Sequence, residues 1–385
     1  MLSRELAGRL EGYETPFYLY DMELLRRTAE CALREADRYG YRLHYAVKAN
    51  NERRILECLA SCGMGADCVS GNEVRRAVET GFAPKDIVYA GVGKKDDEIR
   101  YALRQGIFAF NCESKNELLV IDALARELGL VADVALRLNP DIDPHTHRYI
   151  TTGLAENKFG IAPGEIGEVA EMLEDLRHID VMGLHFHIGS QITDMGVFAE
   201  LCGKVNAAYR WFTEQGFRIT DVNVGGGLGV DYEHPEAHPM PDFASYFGVF
   251  ARHLDLPASV RVHFEPGRSL VAQCGELLAT VLYTKAGGNG SEIALIDASM
   301  TELLRPALYR ARHAMERLTG EGPQRCYTIG GTVCESSDIF ARDLPLPELR
   351  RGDLLTIKTA GAYGAVMASR YNLHDLPRAV FSDEL

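Results

Sequence analysis

The amino-acid sequence predicts an α/β protein: a (β/α)8 barrel of the TIM type over residues 24–270, with residues 1–23 and 271–385 forming a second, mainly β domain. Two observations lead there. From about residue 40, short β-branched and aromatic runs alternate with longer stretches patterned at three- and four-residue spacing, in about eight units that end near residue 270. Beyond that point the helical stretches drop out and strand-like runs follow one another across turns. About eight βα units is the count of a closed barrel. An open doubly wound sheet fits the same count, but no G-x-G-x-x-G opens the first βα turn, which weakens its nucleotide-binding form.

In chain order the barrel strands are expected at RLHYAVKAN (42–50), MGADCVSG (64–71), DIVYAGVGK (86–94), GIFAFNCES (106–114), ADVALRLNP (132–140), VMGLHFHIGS (181–190), ITDVNVGGG (219–227) and VRVHFEPGR (260–268). In the first of these, Leu43, Tyr45 and Val47 alternate as if one face were buried. Helices are expected at NEVRRAVETG (72–81) and SKNELLVIDALARELG (114–129), where Gly81 and Gly129 read as helix stops. The second domain is read from ELLATVLYTKAG (276–287), EIALIDAS (292–299), QRCYTIGGTVC (324–334) and GDLLTIKTAGAYG (352–364). The early run TPFYLYD (15–21) is strand-like too and is expected to join that C-terminal sheet.

Composition narrows the partners. The 385 residues are 46% hydrophobic and 25% charged, with a net charge of −14 that argues against a nucleic-acid partner. No run reaches eighteen apolar residues, and the opening MLSRELAGRLEGYETPF has no apolar core of signal-peptide type, so the expectation is a cytoplasmic protein with no membrane partner. Nine scattered cysteines without a C-x-x-C pair indicate neither a disulfide frame nor a zinc site; most read as small buried hydrophobes.

Chemistry in such a barrel sits at the C-terminal ends of the strands. The unusual polar residues collect there: Lys48, Asp67 with Ser70, Lys94, Arg137, His187, Gly225, Gly226, Gly227 and Glu265. A glycine-rich turn after the seventh run and EPGR after the eighth occupy the place where barrels often wrap a phosphate with backbone N–H groups. Glu265 closes a buried-looking strand and needs a proton or a cationic partner. A salt bridge to Arg268 or Arg261 would supply one. The functional alternative is a carboxylate facing the ring nitrogen of pyridoxal phosphate and keeping it protonated. Lys48 then becomes an amine able to condense with the cofactor aldehyde, rather than a lysine that simply surfaces into water. His185 and His187 form an H-x-H pair with no third metal ligand nearby; His185 reads as a satisfied core histidine, His187 as a ring stacked on the cofactor, with Ser190 reaching its phosphate. Arg137 is either a rim salt bridge or a donor to the cofactor's ring oxygen. His145 and His147 read as a polar loop.

The segments YAVKAN, HFHIGSQ, GGGLG, EPGRS, CESSD and GAYG, in this order, resemble the fold-type III pyridoxal-phosphate-dependent decarboxylases, whose fold is alanine racemase-like. NPDIDPHTHRYITTGLAENKFGI, RPALY and MASRYN are similar to the segments that mark the branch acting on meso-2,6-diaminopimelate. The resemblance runs from about residue 15 to about residue 375. It implies decarboxylation of that diamino diacid to L-lysine, with enzymes acting on ornithine, lysine or carboxynorspermidine as the alternative.

By the same resemblance Lys48 is the cofactor-linked lysine and His187 contacts the cofactor ring. Ser190, Gly225, Gly226, Gly227, Pro266, Gly267, Arg268 and Tyr363 surround the phosphate, with Glu265 at the ring nitrogen. Arg268, Arg305, Tyr309 and Tyr363 line the substrate site, Cys334 is the proton donor and Glu335 holds the distal amine. CESSD comes from the second copy of a homodimer in this family. Without the resemblance, Arg305 reads as a helix cap or surface bridge, Cys334 as a buried cysteine and Tyr363 as an aromatic in a turn. The chain departs from the family at SGNE, where two glycines are commoner, at Arg370, where an asparagine is commoner, and in its short tail. An alanine-racemase-like activity is disfavoured by Glu265, since racemases of that type face the ring nitrogen with arginine. A non-enzymatic cofactor-binding barrel would lack the C-terminal domain with Cys334 and Glu335.

Overall fold

The computed structural model describes residues 9–10, 12–144, 158–287, 291–318, 320 and 322–385; His145 and His147 lie outside the described residues. The chain divides into two compact units, one of Ala29–Gly229 with Asp242–Arg268, the other of Met1–Thr28 with Val230–Pro241 and Ser269–Leu385.

The chain enters through strand β1 (Phe17–Tyr20) and helix α1 (Met22–Asp37). Eight parallel strands follow and close into a barrel: β2 (Arg42–Ala46), β3 (Gly65–Cys68), β4 (Ile87–Tyr89), β5 (Ala109–Cys112), β6 (Ala132–Arg137), β7 (Ile179–His185), β8 (Asp221–Asn223) and β9 (Arg261–Phe264). Between them run α2 (Arg53–Ser61), α3 (Gly71–Glu79), α4 (Asp96–Gln105), α5 (Lys115–Leu128), α6 (Ile166–Leu173), α7 (Met195–Glu214) and α8 (Phe243–His253). Side-chain caps start several of these helices: Ser70 accepts from Glu73 N–H, Ser114 from Glu117 N–H and Asp242 from Ser245 N–H. Gly129 ends α5 in the left-handed conformation, φ 65°.

The alternation expected for the first strand is not what the barrel needs. Leu43, His44, Tyr45, Ala46 and Val47 are all buried, because a barrel strand packs against side chains inside and helices outside. One of them, His44, staples the seam where β2 meets β9 together with the buried His263 of β9. His44 Nδ1 faces the Asp86 carbonyl at 3.0 Å, and its Nε2 meets His263 Nδ1 at 2.9 Å. His263 Nε2 in turn lies 2.8 Å from Asp221 Oδ1, which also pairs with Arg261 Nε at 2.7 Å. A carbonyl only accepts, so His44 carries its proton on Nδ1 and accepts at Nε2 from His263, whose other N–H donates to Asp221.

Burial, followed by the charge of His263, pushes the pKa of His44 from 6.5 down to about 4. The unfolded chain therefore binds a proton that the fold refuses. The contribution of His44 is complete above pH 6.5, and about 3 kcal/mol of stability from this one group is lost as pH falls to about 4. Replacing His44 by glutamine removes this contribution, so the gap in unfolding free energy between parent and variant is expected to narrow across that window. Urea titrations at several pH values check it; a constant gap would refute it.

The second unit is built on one mainly antiparallel sheet. Its strands are β10 (Gly275–Ala286), β11 (Glu292–Ile296), β12 (Met315–Arg317), β13 (Gln324–Gly330), β14 (Ile339–Pro347) and β15 (Leu354–Ile357), in the order β12-β15-β10-β11-β13-β14. Strand β1 pairs antiparallel with β10, Phe17 opposite Leu278, and parallel with β16 (Arg378–Phe381). Leu10, Phe17, Leu19, Leu278, Leu318 and Val380 pack into one apolar cluster beneath this corner. No helix among the described residues is long and apolar enough to cross a membrane.

Candidate active site

Lys48 lies just past β2, in a single 3-10 turn over Val47–Ala49, with 35% of its side chain exposed. Its Nζ stands 3.5 Å from Oδ2 of Asp67, on β3. Asp67 is buried, and neither of its carboxylate oxygens has a hydrogen-bond partner among the described residues. Burial, then the nearby charge of Glu265, pushes its pKa up to about 7, while Lys48 opposes the rise. The lysine is thus steered by a carboxylate without being clamped by it.

Glu265 immediately follows β9 and is held from three other strands. Asn111 Nδ2 (β5) and Asn223 Nδ2 (β8) donate to Oε1 at 3.2 and 2.7 Å, and His185 Nε2 (β7) donates to Oε2 at 3.1 Å. Burial alone would raise its pKa; His185, then Lys48 and His187, outweigh that and hold it well below the usual carboxylate range. His185 Nδ1 has no partner among the described residues, so a second proton there would bury an unpaired donor. The ring points its Nε2–H at Glu265. Neither arginine expected as a partner takes that place: Arg261 pairs with Asp221, and Arg268 donates to Ser190 Oγ from Nε at 3.2 Å and from NH2 at 3.0 Å.

His187, two residues beyond His185, is half-buried and accepts at Nδ1 from the Gly226 N–H at 3.3 Å. Burial, with Lys48 and Arg137 nearby, pushes its pKa well down and keeps the ring neutral. Gly225 has φ 72°, and a Cβ on Gly226 would overlap the Glu265 carbonyl, so backbone alone fills this turn. The Pro266 carbonyl accepts from Ala46 N–H at 3.1 Å, and Gly267 packs against Ala46 and Ala49, which ties the loop after β9 to the Lys48 turn. Arg137 is buried, donates to Glu113 Oε1 at 2.9 Å and lies 4.8 Å from the Phe159 ring centroid.

Two residues read as part of the rim have other work. Lys94 has 1% of its side chain exposed and bonds the carbonyls of Gly91 and Asn111 as well as Glu117, a tie between strand ends. Ser70 caps α3.

In the second unit, Arg305 opens a short helix, α9 (Arg305–Tyr309), and is 5% exposed, so it is neither a surface bridge nor a plain cap. Its NH1 meets His313 Nε2 at 2.8 Å. Cys334 and Glu335 are exposed on the turn after β13 rather than buried. Asp338 anchors that turn by accepting from Met300 N–H at 2.7 Å and Val333 N–H at 2.8 Å. Tyr363 holds a left-handed backbone, φ 55°. Arg370 points outward, 68% exposed, 3.8 Å from Asp375.

The barrel residues fit a phosphorylated pyridine aldehyde. They offer an amine, a buried carboxylate held ionised, a neutral imidazole and a turn whose glycine positions admit no side chain. Residues 24–272 match the family model described as "Pyridoxal-dependent decarboxylase, pyridoxal binding domain". The chain belongs to the pyridoxal-dependent decarboxylases. Pyridoxal phosphate is the cofactor of this family, and of this decarboxylase. The chain is 49% identical over 373 residues to the diaminopimelate decarboxylase of Bacteroides thetaiotaomicron, covering 97% of this chain and 96% of that one. It is similar to the crystal structure of diaminopimelate decarboxylase from Helicobacter pylori complexed with L-lysine, with TM-score 0.93, 37% identity, and 99% and 94% of the two chains covered. The corresponding M. jannaschii enzyme, in co-complex with L-lysine, superposes with TM-score 0.89 at 34% identity, covering 98% of this chain and 89% of that one.

The decarboxylase site contains residues that sequence reasoning passed over. Asn111 and Asn223 sit inside apolar runs, where an amide breaks no period, and only their placement next to Glu265 marks them. His185 had been visible as half of H-x-H, but its partner was not.

Proposed function

We propose that this decarboxylase converts meso-2,6-diaminopimelate to L-lysine and CO2. The observation that carries the reading is near full-length similarity to diaminopimelate decarboxylases, two of which hold L-lysine, the product, in their structures. When bound, pyridoxal phosphate supplies an electron sink for the pair left behind by departing CO2. The chain's own residues do the rest. Lys48 would hold the cofactor through its aldehyde. Glu265 would present its fixed negative charge to the ring nitrogen, and His187 and Arg137 would hold the ring. Ser190, Gly225, Gly226, Gly227, Pro266, Gly267, Arg268 and Tyr363 receive the phosphate.

On the substrate side, the roles proposed are receipt of a retained carboxylate for Arg268, Arg305 and Tyr309, and a substrate contact for Tyr363. Glu335 receives the distal ammonium, and Cys334 returns a proton to the carbon that lost CO2. The exposure of Cys334 and Glu335 in the single chain supports a homodimer in which a second copy supplies them. A cytoplasmic setting is supported by nine cysteines that all remain unpaired.

The test is CO2 release by the purified holoenzyme offered meso-diaminopimelate, L-ornithine, L-lysine, D-lysine and carboxynorspermidine in turn. The expected result is a kcat/KM for meso-diaminopimelate at least roughly 100-fold above the others, since a site built around a second charged group rejects analogues that lack it. Faster turnover of an amino acid with a single carboxylate would overturn the substrate and leave the cofactor chemistry standing.

A further inference from the structure

Arg305 is buried, and a buried guanidinium must have its direction set by what surrounds it. Here the surroundings have a defined polarity. The Lys358 carbonyl lies 2.9 Å from His313 Nδ1, and a carbonyl only accepts, so that nitrogen carries the proton. Arg305 NH1 lies 2.8 Å from His313 Nε2, and a guanidinium only donates, so that nitrogen is an unprotonated acceptor. The imidazole is therefore neutral and in one tautomer. The carbonyl that selects it is fixed in turn, because Lys358 N–H donates back to Ala314 O at 2.9 Å, extending the pairing of β12 with β15 by one step. Ala314 N–H donates to the Tyr232 carbonyl at 3.1 Å. The Tyr232 ring lies 4.5 Å beneath the Arg305 guanidinium and meets His313 edge-on, with centroids 5.1 Å apart at 80°.

We infer that His313 is a positioning residue for substrate recognition: its neutral imidazole and the Tyr232 face fix the plane of the Arg305 guanidinium that receives the substrate's retained carboxylate. The inference rests on the proposed role of Arg305. Committing one N–H to His313 and one face to Tyr232 removes the rotational freedom of a long side chain before substrate arrives, so less is lost on binding. His313 has no part in the chemistry itself. Its loss weakens the ground state and the transition state alike, which raises KM and leaves kcat nearly unchanged.

The experiment uses full-length holoenzyme carrying His313→Leu, His313→Gln, Arg305→Lys, and His313→Leu with Arg305→Lys. His313→Leu is expected to raise KM for meso-diaminopimelate on the order of 10- to 100-fold, the worth of one hydrogen bond to a charged group. The cofactor absorption band is expected to persist and kcat to stay within about threefold. His313→Gln keeps an acceptor toward Arg305 and is expected to recover most of the affinity. In the Arg305→Lys background, His313→Leu is expected to add little, because both changes remove the same interaction. An unchanged KM in His313→Leu, or full additivity in the double variant, overturns the inference. If His313→Leu does not fold, His313→Gln decides it: a loss of kcat and cofactor binding with KM unmoved gives His313 a structural role only. Failure of the substrate reading shows separately, in the wild-type enzyme, as absence of meso-diaminopimelate turnover before any variant is compared.

Discussion

Lys48→Ala is expected to abolish the absorption band of the lysine-linked cofactor and to lower turnover of meso-diaminopimelate by about four orders of magnitude. The geometry explains both the size and the choice of lysine. Lys48 stands at the C-terminal end of β2, on a turn whose flanking residues Val47 and Ala49 are buried, so the backbone holds the amine in one place. Asp67 lies 3.5 Å away, beyond a strong charge-assisted hydrogen bond, and its carboxyl already tends toward protonation with its pKa near 7. The amine is guided by Asp67 without being clamped by it, which suits the proposed link to the cofactor aldehyde. Lys94 offers no such freedom: its head group is spent on two carbonyls and Glu117. Absorption spectra of the reconstituted variant, read beside CO2 release, check the prediction; a surviving lysine-linked band would assign the role to another residue.

That contrast also marks how far the sequence can be read. Lys48 and Glu265 were legible because an ionisable residue closing an apolar run conflicts with its surroundings, and the barrel rule says which end of a strand to watch. The βα rhythm was legible because strands buried on both faces appear as dense apolar runs between longer amphipathic ones. Lys94 looked the same as Lys48 in the sequence, since nothing in DIVYAGVGK tells a head group tied to carbonyls from one facing a ligand. The partners of Glu265 come from β5, β7 and β8, and a register between distant strands leaves no trace in any one of them. In the second unit, β14 escaped notice because Pro345 and Pro347 and the charged pair Arg342–Asp343 interrupt its pattern. Such residues are tolerated there because β14 lies at an edge of the sheet. Arg305 was legible as a residue but not as a buried one: RPALY starts a helix of only five residues, too short for a period that would show which face is inside.

Glu265→Gln is expected to leave the fold and the lysine-linked cofactor band in place and to lower kcat by about 1,000-fold. Glutamine has the shape of the carboxylate but not its charge, and the pocket can take that shape. Its oxygen can keep the amides of Asn111 and Asn223, which now sit on Oε1, if its NH2 group turns toward His185. The imidazole then has to accept at Nε2, which it does by moving its proton to Nδ1, the nitrogen with no partner among the described residues. The cost is one poorly satisfied donor, not a broken core. The change falls on charge instead. Burial works against an ionised Glu265, and His185, Lys48 and His187 were needed to overcome it. That depressed pKa contributes stability above the carboxyl's ordinary value of 4.5, and the contribution fades as pH falls below it. The glutamine variant should therefore lack this share of acid sensitivity while losing turnover at every pH. A neutral side chain at this place no longer favours a protonated ring nitrogen, so the sink for the electron pair weakens although cofactor and substrate still bind. Stopped-time CO2 release and an absorption spectrum on the same sample separate the two residues: Lys48→Ala loses band and rate together, whereas Glu265→Gln keeps the band and loses only rate. Turnover of Glu265→Gln within tenfold of the parent would mean that the clasped carboxylate orders the barrel rim and takes no part in the electronics of the reaction.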